Sequence, residues 1–172
     1  MALRAQVEML GLTVEFADTA KAYRYATRIF GQGLANAAVV WRDKYMPGHF
    51  ETWATRKYGY EARTRKYEKR KRIKYGHNRP LVLTGQTLRM ATQQLLDPKI
   101  SNRAGKIGAE VRIRAPRHFF MFNKNDGRKF IDKRDELTRT VESERARLAQ
   151  VAQDSVIDSM DRHPSHRIVK IL

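Results

Sequence analysis

The 172-residue chain has no cysteine. That excludes disulfide bridges and thiolate metal sites, and with them the small secreted scaffolds held by cross-links. No apolar run reaches the roughly 18 residues of a membrane-spanning helix. The opening residues, MALRAQVEMLGLTVEF, lack the apolar segment and cleavage site of a signal peptide. The expectation is therefore a soluble protein of the cytosol, or of a particle assembled there, with no membrane contact. Acidic residues are also in short supply: 18 Asp and Glu face 35 Lys and Arg, a net charge of +17. A balance that basic does not choose a fold, but it favours polyanionic or acidic partners.

Hydrophobic residues make up 41% of the chain, enough for a core though below the usual share. In MLGLTVEF, Leu10, Leu12, Val14 and Phe16 alternate with Gly11, Thr13 and Glu15, which predicts a half-buried strand. Asp18 or Thr19 can cap the helix that follows. Ala20, Tyr23, Phe30, Leu34, Ala38, Trp41 and Tyr45 recur at helical spacing until Pro47-Gly48. Gly31 and Gly33 inside this helix mark either a weak point or a close backbone contact. Residues 49–60 carry no clear period, and Trp53 and Tyr58 are candidate anchors.

Tyr60–Tyr75 predicts a second helix, with Gly76 as its left-handed cap and cations in its last turn. Pro80 then sets extended geometry before the short apolar run LVLTG. QTLRMATQQLL is a strand or a helix by period. Residues 97–105 form a polar loop, read as a hairpin tip. KIGAEVRIRAP alternates, with Ile107, Ala109, Val111 and Ile113 inward and Glu110, Arg112 and Arg114 outward. RHFFMF is a strand or an anchoring loop, and NKNDGRK a turn. A long helix is predicted from Asp135 to Asp161, stopped by Pro164. Together these predict an α+β fold: a small antiparallel sheet packed by two long helices, with a basic helical or loop insertion near residues 49–80. One domain, 1–163, is followed by a C-terminal tail, 164–172.

Catalytic constellations are missing from the pattern. His163 and His166 are separated by Pro164, which breaks the helical face a metal pair would need, and no carboxylate joins them. GQGLANAA lies inside a helix and has neither the Lys-Ser/Thr pair nor the following strand of a phosphate loop. No nucleophile elbow or triad signature occurs. The chain is read as a non-enzyme with no cofactor and no metal.

The strongest local signal is charge. Arg56, Lys57, Arg63, Arg65, Lys66, Lys69, Arg70, Lys71, Arg72 and Lys74 are opposed only by Glu61 and Glu68 between Arg56 and Tyr75. Tyr58, Tyr60, Tyr67 and Tyr75 are interleaved. Cations neutralise phosphates and aromatics stack on bases, but the helical spacing of the tyrosines favours a buried face. Arg63, Lys66, Lys69, Arg70, Lys71, Arg72 and Lys74 are the candidate contacts to DNA or to an acidic partner. With no zinc finger, RNP motif or clear helix-turn-helix, such contact is sequence-independent.

The segment RPLVLTGQTLRMA, preceded by YEARTRKYEKRKRIKYG, resembles the centre of the phage virion-morphogenesis and tail-completion (neck, head–tail connector) proteins. The likeness rests on the Tyr- and Lys-rich RKYEKRKRIKYG, the PLVLTGQTL element, the strand AEVRIRAP and the aromatic RHFFMF. It is best over residues 50–122. The C-terminal DELTRTVESERARLAQVAQD is similar to the ends of phage structural proteins. The resemblance implies a virion subunit at the head–tail junction, present in the host cytoplasm during assembly. It would form a homo-oligomeric ring, six- or twelve-fold, around the DNA channel. Its partners would be neighbouring neck, portal or tail proteins, with nonspecific contact to genomic DNA. Such rings use heterologous interfaces, for which Ile168, Val169, Ile171 and Leu172 are candidate assembly contacts. The high positive charge keeps an alternative open: a free, sequence-independent nucleic-acid-binding protein.

Overall fold

The longest apolar period in the sequence becomes helix α1, Thr19–Val40, in a computed structural model that describes residues 5–9, 12–16, 19–93, 96–103, 106–115, 133–162 and 168–170. The buried stripe is Tyr25, Ile29, Gly33 and Ala37, every fourth residue, and not the expected one, since Tyr23 is exposed and Phe30, Leu34 and Ala38 are only half-buried. The fold is α+β, and the chain divides into two compact units. The first comprises Met1–Val39, Pro98–Glu110 and Ala146–Leu172, and the second Val40–Asp97 and Val111–Arg145.

In the first unit, β1 (Ala5–Met9) and β2 (Leu12–Phe16) pair antiparallel with Val7 opposite Val14. The alternation of AQVEM matches that of LTVEF, so the strand expected near Leu10–Phe16 has a partner just before it. A second antiparallel pair, β3 (Lys99–Arg103) and β4 (Lys106–Glu110), sets Ile100 opposite Ala109, so most of the expected polar loop 97–105 is itself a strand of the hairpin. Helix α6 (Glu142–Asp161) contributes its later turns to this unit.

The two glycines of α1 resolve as close-contact positions. A Cβ at Gly31 would lie 2.6 Å from Ile100 Cγ2, and one at Gly33 would lie 2.8 Å from the Ala152 carbonyl oxygen of α6 and 2.9 Å from Val156 Cγ2. Beside them, Asn36 Nδ2 donates to Ser155 Oγ at 2.6 Å.

The second unit begins where α1 gives way to a π turn, Trp41–Tyr45, closed by the Met46 N–H donating to the Trp41 carbonyl. A 3-10 turn, Met46–Phe50, follows, with Pro47 in its first turn, where a missing N–H leaves no bond unmade. Then come α2 (Ala54–Tyr58), α3 (Arg65–Tyr75), α4 (Gln86–Gln93) and α5 (Lys133–Thr138). Met46, His49, Phe50 and Ala54 are fully buried and form the centre of this unit with Tyr58, Tyr60 and Leu137.

Several expectations change. The helix expected over Tyr60–Tyr75 begins only at Arg65, after the extended Thr64. The helix predicted over 135–161 is two helices, broken at residues 139–141. There the Glu144 carboxylate turns back to accept from the Val141 N–H at 3.4 Å, a capping contact that starts a new helix. The strand predicted through residue 116 ends at Glu110, and residues 111–115 are irregular. The ambiguous QTLRMATQQLL is helix α4 over Gln86–Gln93. RHFFMF, NKNDGRK and the His163/His166 pair lie outside the described residues.

Candidate nucleic-acid interface

Helix α3 holds most of the predicted contacts, and both of its ends are fixed. Thr64 caps it in extended geometry, its Oγ1 accepting from the Tyr67 N–H at 3.3 Å. Gly76 closes it at φ 74°, its N–H donating to the Arg72 carbonyl at 2.8 Å. Arg72 and Lys74 occupy the last turn, where the helix dipole favours cations. The helix is therefore held by its caps and by its inner side despite a strongly polar sequence.

The outward side carries Arg65, Lys66, Lys69, Arg70, Arg72 and Lys74, all exposed. None of these six forms an ion pair among the described residues. Lys66, Lys69 and Arg70 fall at the i, i+3, i+4 spacing that puts side chains on one face. Ile73 completes that face at i+7 and is 76% exposed, an apolar residue ringed by cations. Glu68 is the one carboxylate within the helix.

Two of the predicted contacts do not stand in this row. Lys71 is only 6% exposed, and its Nζ donates to the Arg79 carbonyl and lies over the Tyr67 ring at 5.8 Å. Burial, and after it the Arg63 guanidinium, lowers its pKa below the usual lysine value. Arg63 forms a two-pronged pair with Glu136, Nη1 to Oε1 at 3.0 Å and Nη2 to Oε2 at 2.6 Å, and also donates to the Glu61 carbonyl at 2.8 Å. Glu136 is 1% exposed, and a carboxylate so buried needs a cation beside it. Arg63 and Lys71 are thus turned to the interior, which removes them from an outward contact surface.

The interleaved tyrosines divide as well. Tyr58 and Tyr60 are core residues, while Tyr67 and Tyr75 are half-buried on α3. His49 stacks on Tyr58 with ring centroids 3.8 Å apart, and its Nδ1 shares a 2.5 Å hydrogen bond with the Tyr60 hydroxyl. The Tyr58 hydroxyl donates to Glu144 Oε1 at 2.9 Å, and Lys57 Nζ approaches the same oxygen at 2.6 Å. Burial raises the pKa of both tyrosines, so they remain neutral donors. Of the two suggested anchors, Tyr58 is buried and Trp53 is 48% exposed, with the Lys57 ammonium 5.2 Å from its ring.

Sequence reading missed Glu136, Glu144 and His49. The two glutamates look like surface acids of a charged helix, yet each closes a contact with a residue more than seventy positions earlier. The one local clue to Glu144 is its place three residues after Val141, the spacing of a capping contact.

Of the predicted assembly contacts, Ile168 and Val169 lie in strand β5 (Ile168–Lys170), opposite Val14 and Thr13 of β2, so that the sheet runs β1-β2-β5. Ile171 and Leu172 lie outside the described residues. Among the described residues, no group of three or more His, Asp or Glu side chains is placed to hold a metal ion, and no helix is long and apolar enough to cross a membrane. Comparison of the chain with protein-family models, with curated proteins and with solved structures gives no match.

Proposed function

We propose that this chain is a structural subunit of a tailed-phage virion. It works in the neck or tail-completion layer at the head–tail junction, as a ring around the DNA channel, and presents α3 to phosphate or to an acidic neighbouring protein. The observation that carries the reading is the set of exposed cations Lys66, Lys69, Arg70, Arg72 and Lys74, the first three on one face, on a doubly capped helix and with no ion pair among the described residues. A channel lining needs cations that track a backbone without reading bases, and such a row supplies that. The virion role rests on the resemblance over residues 50–122.

The same row supports one rival, a free sequence-independent nucleic-acid-binding protein. The two differ in assembly. The neck reading expects the purified chain to form a closed oligomer in native mass spectrometry at high concentration, with duplex contact that is weak until the ring closes. The rival expects a monomer that binds duplex tightly. A monomer with tight, salt-sensitive binding overturns the neck reading.

The variant that tests the row is Lys66→Ala, Lys69→Ala, Arg70→Ala and Arg72→Ala combined, leaving Lys71 in place because it is interior. If all four touch phosphate, the slope of log affinity against log salt should fall in magnitude by about 3.6, at roughly 0.9 per contact. An unchanged slope would remove α3 from the interface.

A further inference from the structure

On the inner side of α3 the second unit encloses a cavity of about 210 Å³, below the roughly 300 Å³ at which drug-sized pockets begin. Its lining has two chemically distinct parts. Arg63, Lys71 and Lys133 bring three cations to it, with Glu61 and Glu68 also present. Tyr67, Pro80, Leu81, Val82 and Leu83 form an apolar wall. Leu81 holds φ at 57°, a left-handed geometry unusual for leucine and one that turns the apolar wall into place.

The cations are not equivalent. Arg63 is neutralised by the two-pronged pair with Glu136. Lys71 forms no ion pair among the described residues, and Glu68 attracts it only from a distance. One of its three N–H donors goes to the Arg79 carbonyl, and the ammonium lies over the Tyr67 ring that lines the cavity. Burying this ammonium beside the Arg63 guanidinium is costly, the attraction of Glu68 offsets only part of that cost, and the lowered pKa reports the net cost. An anion entering the cavity would remove it. Phosphate would place polar oxygens against Leu81, Val82 and Leu83, where they find no donors. A carboxylate carrying a small branched apolar group meets Lys71 with its charge and the apolar wall with its hydrocarbon, against an opposing contribution from Glu61 and Glu68 that keeps the affinity low.

The geometry points to a binding site for a small apolar carboxylate, with Lys71 as the ionic partner and Leu81, Leu83 and Tyr67 enclosing the hydrocarbon. The ligand is of the size of a branched short-chain acid or of one apolar residue at a peptide carboxyl terminus. This inference is independent of the α3 outer face and of the virion reading.

The test uses the full chain with its leucine and valine methyl groups followed by NMR during titration with isovalerate. Saturable shifts of Leu81, Val82 and Leu83 methyls are expected, with Kd near about 1 mM for so small a ligand. Isovaleramide, the neutral isostere, should bind at least about tenfold more weakly, a difference of about 1.4 kcal/mol. Lys71→Met, which keeps the stem and removes the charge, should cause the same loss. Should that variant fail to fold, Leu83→Trp fills the mouth from a 40% exposed position and should abolish saturation.

A dipeptide ending in leucine with a free carboxylate, compared with its amide, separates the two sources. Binding about tenfold tighter than isovalerate identifies a peptide terminus, and weaker binding a free acid, at a difference of about 1.4 kcal/mol either way. Equal binding of acid and amide overturns the site. So does inorganic phosphate shifting the same methyls as strongly as isovalerate, or no saturation at about 50 mM, where a millimolar site would be nearly full.

Discussion

His49 is fully buried between Trp41, Tyr58 and Tyr60, and that position controls its protonation. Burial lowers its pKa to about 4; Glu144 opposes the shift and Lys57 adds to it. The unfolded chain takes up the proton near pH 6.5, whereas the fold refuses it until about pH 4. Between those values the unfolded state binds more protons, so this residue's contribution to stability is full above pH 6.5 and declines as pH falls. The whole decline amounts to roughly 3 kcal/mol. His49→Phe keeps the stack on Tyr58 and removes the titration, but leaves the Tyr60 hydroxyl without its partner. The variant should be less stable at pH 7 by about 1–3 kcal/mol, and the gap should close as urea unfolding is repeated at pH 6, 5 and 4. A gap that stays constant with pH would mean that His49 is not the group responsible. Nothing in the sequence around His49 announces this role, because Glu144, Lys57 and both tyrosines are brought to it by the fold.

Elements were legible in proportion to how local their causes are. The presence of α1 and the Gly76 cap are written in periods and turn residues, and both form where the sequence places them, whereas the buried stripe of α1 is offset from the expected one and β3 occupies part of the expected loop. The break between α5 and α6 is not so written, because the residue that starts α6 is Val141, a poor capping residue by type. Its start is held instead by Glu144, whose burial depends on Tyr58 and Lys57. Gly31 and Gly33 show what sequence alone left open. Both would favour a helix more as alanine, by about 1 kcal/mol each. Gly33→Ala, however, drives a methyl against the Ala152 backbone of α6, which cannot rotate away, and should destabilise by about 1–3 kcal/mol net. Gly31→Ala meets first the Ile100 side chain, itself 41% exposed and able to move, so its cost should be smaller. Thermal melts of the two variants check the order; equal melting temperatures would show that α1 and α6 separate freely at Gly33.

At the scale of the molecule the governing quantity is the excess of 35 cations over 18 acids. The best acids are consumed internally: Glu136 by Arg63 and Glu144 by Lys57 and Tyr58. The outward row of α3 is left to repel itself and its surroundings. Compaction brings like charges closer, so net repulsion works against the fold at low ionic strength. The Debye length contracts from about 30 Å at 0.01 M to about 10 Å at 0.1 M salt, which screens the exposed row far more than the buried pairs. Exposed pairs such as Arg145–Glu142 lose a few tenths of a kcal/mol over the same range, too little to reverse the sign. Melting temperature should therefore rise with sodium chloride between those concentrations. The fourfold alanine variant of Lys66, Lys69, Arg70 and Arg72 lowers the net charge from +17 to +13. It should melt higher than the parent at 0.01 M and gain less from salt, while losing duplex affinity. A row that weakens the free protein yet strengthens a polyanion complex has its reason in the complex. If the variant instead melts lower at 0.01 M, those cations serve the fold, and the outward face of α3 is no interface.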